Sequence, residues 1–260
     1  MNQRTPANRR QFIASAALGL TGSALASTAQ AASAPRYAVA PSPQPSLPIK
    51  GSGERFPVHR IYCMGLNYAE HSKESGMSNI PPFYFQKSAD MIVDDHATVR
   101  YPSLTKDYHH EIELVVALAR GGRDIPVEKA LDCVFGYAVG LDMTRRDLQT
   151  DARKTGLPWE PGKSFEQSAP CGPIFRAAEV GHLQQGRIEL KVNDQLRQGA
   201  DLNEMIYSVA RIINHLSLSI ELAPGDLIYT GTPAGVGPVV SGDRMVGAID
   251  KLGTLTITVG

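Results

Sequence analysis

HHEIELVVALA, running from His109 to Ala119, sets two carboxylates one residue apart inside a strongly apolar stretch. On a strand, residues i and i+2 share a face, so Glu111 and Glu113 stand together while Ile112 and Leu114 face the other way. Neighbouring carboxylates repel, and burial strips their hydration, so one must hold a proton or both must share a cation. A solvent-facing edge with lysine partners would avoid the problem, but the LVVALA that follows carries the strand into the interior.

Outward from this segment the chain reads mainly as strands. VHRIYCMG (58–65), FYFQKS (83–88), GYAVGLDMT (136–144), PIFRAAE (173–179), RIELKVN (187–193), DLIYT (226–230), RMVGAI (244–249) and TLTITV (254–259) are short, rich in β-branched or aromatic residues, and bounded by Gly, Pro, Asn or Asp. Helices are few. One is predicted from Pro126 through VEKALDCVF, and a second over TRRDLQTDARKT, ending before Gly156. A third follows Asp201, where Asp201 and Glu204 have capping-box spacing and Ile206, Val209, Ile213 and Leu216 repeat at helical period. Strands without regularly intervening helices predict a mixed β architecture with few helices rather than a doubly wound sheet.

The N-terminus reads as a targeting segment. Arg9 and Arg10 precede a moderately apolar run from Phe12 to Ala26 and the small-residue pattern Ala29-Gln30-Ala31, which predicts a twin-arginine-type signal over 1–31 and a periplasmic protein. An uncleaved leader would leave the chain tethered to the membrane or in the cytoplasm. Residues 32–54, rich in Pro and Ser, are expected to form a flexible arm, and 55–260 the folded domain. Loss of Arg4, Arg9 and Arg10 with the leader turns a balance of 26 basic and 26 acidic residues into 23 and 26, which argues against a nucleic-acid partner. Cys63, Cys133 and Cys171 are an odd number in a large domain and imply no disulfide framework.

A metal site needs a third ligand beside Glu111 and Glu113, and Asp142 stands at the end of an apolar strand before a polar helix. Three oxygen donors without Cys or His favour Mg²⁺ or Mn²⁺, then Ca²⁺, over zinc. In NYAEHSKESG, His71 and Glu74 are three apart; on a short helix the carboxylate holds one imidazole nitrogen and leaves the other as a base. Arg146 and Gln149 have the same spacing on the helix after Asp142. GLPWEPGKSF fails as a phosphate loop, because five residues rather than four separate its glycines and it follows a helix. YTGTPAGVGP is a glycine-rich turn whose backbone can approach a ligand, with Thr232 the expected contact.

HHEIEL, GYAVGLDMTRRDLQ, GKSFEQSAPCGP, VNDQLRQ and GDLIYTGTPAGVG together resemble the fumarylacetoacetate hydrolase superfamily over about 58–260, most closely its fumarylpyruvate hydrolase branch. The resemblance implies a β-sandwich roll, a homodimer, and a catalytic Mg²⁺ or Mn²⁺ held by Glu111, Glu113 and Asp142. It makes His71 and Glu74 a water-activating pair on a lid, Lys163 a donor to developing negative charge, and Arg146, Gln149 and Thr232 substrate contacts. Ser88 stands where that family has proline after the lysine, and Lys87 receives no role. The implied reaction is C–C cleavage of a 2,4-dioxo acid such as fumarylpyruvate. Oxaloacetate decarboxylation or tautomerisation and hydration of a 2-oxo-pentenoate are the rivals within the family. A Ca²⁺-stabilised exported binding module is the reading of another class.

Overall fold

The computed structural model describes residues 36–77 and 80–260. The leader expected over 1–31 lies outside the described residues. Pro43–Gly260 forms one compact unit. It begins earlier than composition suggests: Ser46–Pro48 pairs antiparallel with Arg55–Pro57, and Leu47 and Ile49 are buried. The second half of the expected arm is thus part of the fold, because two apolar side chains among its prolines find a core to enter.

Two large sheets dominate the described residues. A six-stranded sheet runs in the order Phe175–Arg176, Val134–Leu141, Ile112–Leu118, Leu227–Tyr229, Ile61–Gly65, Phe83–Lys87. Its neighbours are antiparallel except Leu227–Tyr229 against Ile61–Gly65. A five-stranded sheet follows the order Gln195–Asp201, Arg187–Val192, Arg244–Ile249, Gly253–Val259, Thr98–Val99. Mixed β with few helices is the architecture observed.

The Ile112–Leu118 strand lies at the centre and is buried along its length. Ile112, Leu114, Val116 and Leu118 enter one hydrophobic cluster with Ile188, Leu190, Leu255 and Ile257 of the second sheet. Val115 and Ala117 enter a separate cluster with Ile61, Cys63 and Tyr229. A strand buried on both faces has no solvent side, which is why its sequence is continuously apolar. Glu113 belongs to the face of Val115 and Ala117.

Several local expectations change. The quoted segment is two strands, Tyr108–His110 and Ile112–Leu118, broken at Glu111 where the ladder changes partners. The helix expected through Phe135 is Val127–Ala130 followed by a 3-10 turn to Cys133, because Val134 and Phe135 join the central sheet. PIFRAAE keeps only Phe175–Arg176 as strand and turns helical at Ala177–Val180. The Asp201–Glu204 capping box is present but closes a single 3-10 turn, Leu202–Glu204, and the amphipathic helix begins later, as Val209–Ser219. Arg146–Thr155 is helical as expected and stops at Gly156 in the left-handed conformation, φ 70°.

Candidate active site

Glu113 projects from the central strand, Glu111 from the break before it, and Asp142 from the end of the neighbouring Val134–Leu141 strand. The Asp142 N–H donates to the Glu111 carbonyl at 2.8 Å, locking the two strand ends together. The three carboxylates are 4%, 1% and 1% exposed and bring one oxygen each within 4.8 Å of one another. They line one small cavity together with His71, Arg146, Gln149, Lys163 and Thr232. Glu74 stands behind His71, with its Oε2 3.2 Å from Nδ1. All nine residues singled out in the sequence therefore meet at one place.

Lys163 arrives by helix packing. It closes the short Glu160–Lys163 helix, and Gly162 lies so near the backbone of Gln149 that a Cβ there would come within 2.7 Å of its nitrogen. Glycine lets the two helices touch, which presses Lys163 into the carboxylates. Its Nζ donates to Glu111 Oε2 and Asp142 Oδ2 at 2.8 Å each and to Thr144 Oγ1 at 2.7 Å. Arg146 donates to Glu111 Oε1, to Gln149 Oε1 at 2.6 Å, and to His109 Nδ1 at 3.4 Å. The substrate grip expected of Arg146 is directed in this structure at Glu111.

These neighbours give the two glutamates opposite character. Burial alone would raise the Glu111 pKa, but Lys163, Arg146 and His71 outweigh it and hold the carboxyl well below its usual range. Burial pushes Glu113 well up, Asp142 and Glu111 add to that, and the Gly231 N–H at 2.8 Å together with Lys163 oppose it without prevailing. Lys163 is lowered by burial but raised on balance by Asp142 and Glu111, so it stays an ammonium.

The donor set fits a divalent cation. Asp142 Oδ1 is buried and accepts no hydrogen bond; the Lys87 Nζ 2.9 Å away is an ion contact without donor alignment. A buried carboxylate oxygen lacking a donor, beside a carboxyl whose ionisation is suppressed by two others, is what a hard cation relieves. Glu111, Glu113 and Asp142 would hold it.

Above the carboxylates lies the Ala69–Glu74 helix. His71 is 5% exposed, and its Nδ1 faces Glu74, which leaves Nε2 as the basic nitrogen. Glu74 also accepts the Gly235 N–H at 3.2 Å, tying the helix to the glycine-rich turn. Asn67, just before the helix, reaches the same turn through the Thr230 carbonyl at 2.8 Å. Gly231, φ 100°, packs against Asn67; a Cβ there would meet the Asn67 Cβ at 2.6 Å.

Three site residues escaped the sequence reading. Lys87 is 3% exposed beside Asp142 and also donates to the Met143 carbonyl at 3.2 Å; alternation with Phe83 and Phe85 was its one signal. Gln198 accepts the Ile112 N–H and meets His110 Nδ1, and it donates to Thr232 Oγ1 at 2.8 Å. Burial lowers His110 to about 4, so its ring is neutral at physiological pH. Arg153 lines the cavity two turns along the helix from Arg146, and its period was visible but unused.

Comparison with known proteins finds relatives over most of the chain. The family model "Fumarylacetoacetate (FAA) hydrolase C-terminal" matches residues 60–260. The chain is 46% identical over 178 residues to a fumarylpyruvate hydrolase of Ralstonia sp, covering 68% of this chain and 92% of that one. It is 38% identical over 200 residues to a mitochondrial oxaloacetate tautomerase of Homo sapiens, covering 76% and 90%. Among solved structures, fumarylpyruvate hydrolase from Pseudomonas aeruginosa, in complex with Mn²⁺ and pyruvate, superimposes with a TM-score of 0.85 at 51% identity, covering 86% of this chain and 99% of that one.

Proposed function

The chain belongs to the fumarylacetoacetate hydrolase family, and from that premise we propose that it is a divalent-metal-dependent hydrolase cleaving the C–C bond of a 2,4-dioxo acid, fumarylpyruvate or a similar acylpyruvate, into pyruvate and a carboxylic acid. The observation that carries this reading is the convergence of three buried carboxylates and the His71–Glu74 pair on one cavity. The all-oxygen donor set favours Mg²⁺ as the resident ion, with Mn²⁺ as the alternative. When bound, the ion supplies Lewis acidity to a chelating 2-oxo acid.

The chain's own groups account for the rest. Glu74 holds His71 Nδ1–H, so Nε2 takes a proton from water as its oxygen attacks the C4 carbonyl. Lys163, whose N–H groups are held by Glu111, Asp142 and Thr144, contributes the field of its ammonium to the negative charge that develops there. The C3–C4 bond then breaks, its electron pair stays with C3, and the proton held by His71 is returned to that carbon. Arg146, Gln149 and Thr232 fix the acid's orientation. Burial of the carboxylates and the closeness of the lid helix keep bulk water from the bond.

The test is turnover of acylpyruvates with product identified. Chelator should abolish pyruvate release, and His71→Ala should slow it by about 10²- to 10⁴-fold while leaving metal binding intact. Undiminished release from His71→Ala, or from chelated enzyme, refutes the mechanism. Oxaloacetate assayed alongside separates the family's tautomerase or decarboxylase activities, which give different products. We also take the enzyme to be a periplasmic homodimer, on the strength of the Arg9–Arg10 leader and of the family resemblance.

A further inference from the structure

Three cationic groups line the cavity: Lys163, Arg146 and Arg153. The first two are held by carboxylates. Lys163 spends its three N–H groups on Glu111, Asp142 and Thr144, and Arg146 is directed at Glu111, Gln149 and His109. Arg153 differs. One Nη2 hydrogen bond goes to the Ser75 carbonyl at 2.9 Å, and no carboxylate among the described residues forms an ion pair with it. Its surroundings disfavour its charge, through burial and then the positive Arg146, with no acid in opposition. A half-buried guanidinium without a counter-ion is a site for an anion.

Its position says which anion. Arg146, Gln149 and Arg153 follow the i, i+3, i+7 spacing of one helix face, so Arg153 stands about 10 Å along the axis from Arg146. Arg153, Met77 and Trp159 line both the catalytic cavity and the wider cleft beyond it, which places them at the mouth. Trp159 is set by edge packing on Phe83, with ring centroids 5.2 Å apart, and forms with Phe85 an apolar wall of the cavity that the carboxylates and Arg153 also line. A ligand anchored by its 2-oxo acid end at the carboxylate centre would pass this wall and meet the guanidinium with its far end.

Building on the acylpyruvate reading, we propose that Arg153 is a specificity-determining residue that binds the carboxylate at the distal end of the acyl tail, the group that fumarylpyruvate carries and a neutral acylpyruvate lacks. A neutral short tail stops at the wall and gains nothing from Arg153.

Two non-hydrolysable acids of equal length test this on the Mn²⁺-loaded full chain by calorimetry: 2-oxopimelate, with a terminal carboxylate, and 2-oxoheptanoate, without one. A half-buried charge-assisted contact predicts about tenfold tighter binding of the diacid. Arg153→Met should bring the two dissociation constants to within about twofold, and Arg153→Lys should keep part of the preference. Equal affinities in the wild type, binding of neither acid, or a preference that survives in Arg153→Met would overturn the assignment. The wild-type ratio is decisive even if the loss of the Ser75 contact weakens a variant's fold. A diacid preference that depends on Arg153 in a protein that cleaves no acylpyruvate would sink the hydrolase reading and leave this one standing. Cleavage without such a preference would do the reverse.

Discussion

Glu111→Gln and Glu113→Gln make the same chemical change two residues apart on one segment, yet the surrounding charges demand different outcomes. Glu111 is ionised and lies against the buried Lys163 and the partly buried Arg146, so its amide leaves two cations short of an anion. Breaking a buried pair costs about 3–5 kcal/mol, and the lower end applies because Lys163 keeps Asp142 and Arg146 keeps Gln149. At about 2–4 °C per kcal/mol for a domain of this size, Glu111→Gln should lower the Tm of chelated protein by about 6–12 °C. Burial and the neighbouring carboxylates raise the Glu113 pKa and so favour its neutral form, and an amide oxygen still accepts the Gly231 N–H, so Glu113→Gln should cost under about 1 kcal/mol, or under about 2–4 °C.

Thermal melts in EDTA and in Mn²⁺ measure both effects. A metal present at 100 times its dissociation constant stabilises the wild type by about 2.7 kcal/mol, or about 5–10 °C, and both variants should lose most of that gain. The pH dependence follows with opposite signs. The folded pKa of Glu113 is raised, so its contribution is full below the unfolded value and is lost as pH rises through the folded one; the chelated wild type should therefore weaken with rising pH, while the gain from metal grows as the ion displaces the proton. The folded pKa of Glu111 is depressed, so its contribution is present above the unfolded value and is lost as pH falls through the folded one. Equal losses for the two variants in EDTA, or a larger one for Glu113→Gln, would refute the charge assignment.

Gln198→Ala removes the side chain shared by His110, the Ile112 N–H and Thr232, so a loss of about 2–4 kcal/mol is expected in denaturant melts, together with a raised KM for the acid as Thr232 loses its support. A normal KM would show that Thr232 does not contact substrate. Gly231→Ala places a Cβ 2.6 Å from that of Asn67 at φ 100°, and the clash and strain should cost about 1–3 kcal/mol and weaken metal binding by displacing the N–H that Glu113 accepts; calorimetry with Mn²⁺ reads the second effect.

What the sequence made legible was what local geometry determines. The i, i+2 spacing of Glu111 and Glu113, the i, i+3 spacing of His71 and Glu74, and the strand-end place of Asp142 each follow from a period or a boundary, and each lies on or directly beside a short regular element. Even the break at Glu111 leaves the pair in one cavity, since Ile112 alone turns to the opposite face. What stayed illegible depends on partners far along the chain. Gln198 lies on a strand whose neighbours Gln195, Leu196 and Arg197 are exposed, and its burial exists only because that strand reaches His110, 88 residues away in sequence. Lys87 meets Asp142 across 55 residues in the same way.

The electrostatic character of the site belongs wholly to this second category. Nothing in the spelling of HHEIEL distinguishes its two glutamates; the difference comes from Lys163, delivered by helix packing against Gln149, and from Arg146, delivered by the helix after Asp142. Both cations approach Glu111, and Glu113 is left to face Asp142 and Glu111. The asymmetry suits metal binding at neutral pH: one ligand is ionised beforehand, and the other gives up its proton when the cation arrives. A fold that paired both glutamates with lysines would be more stable empty and a poorer host for an ion.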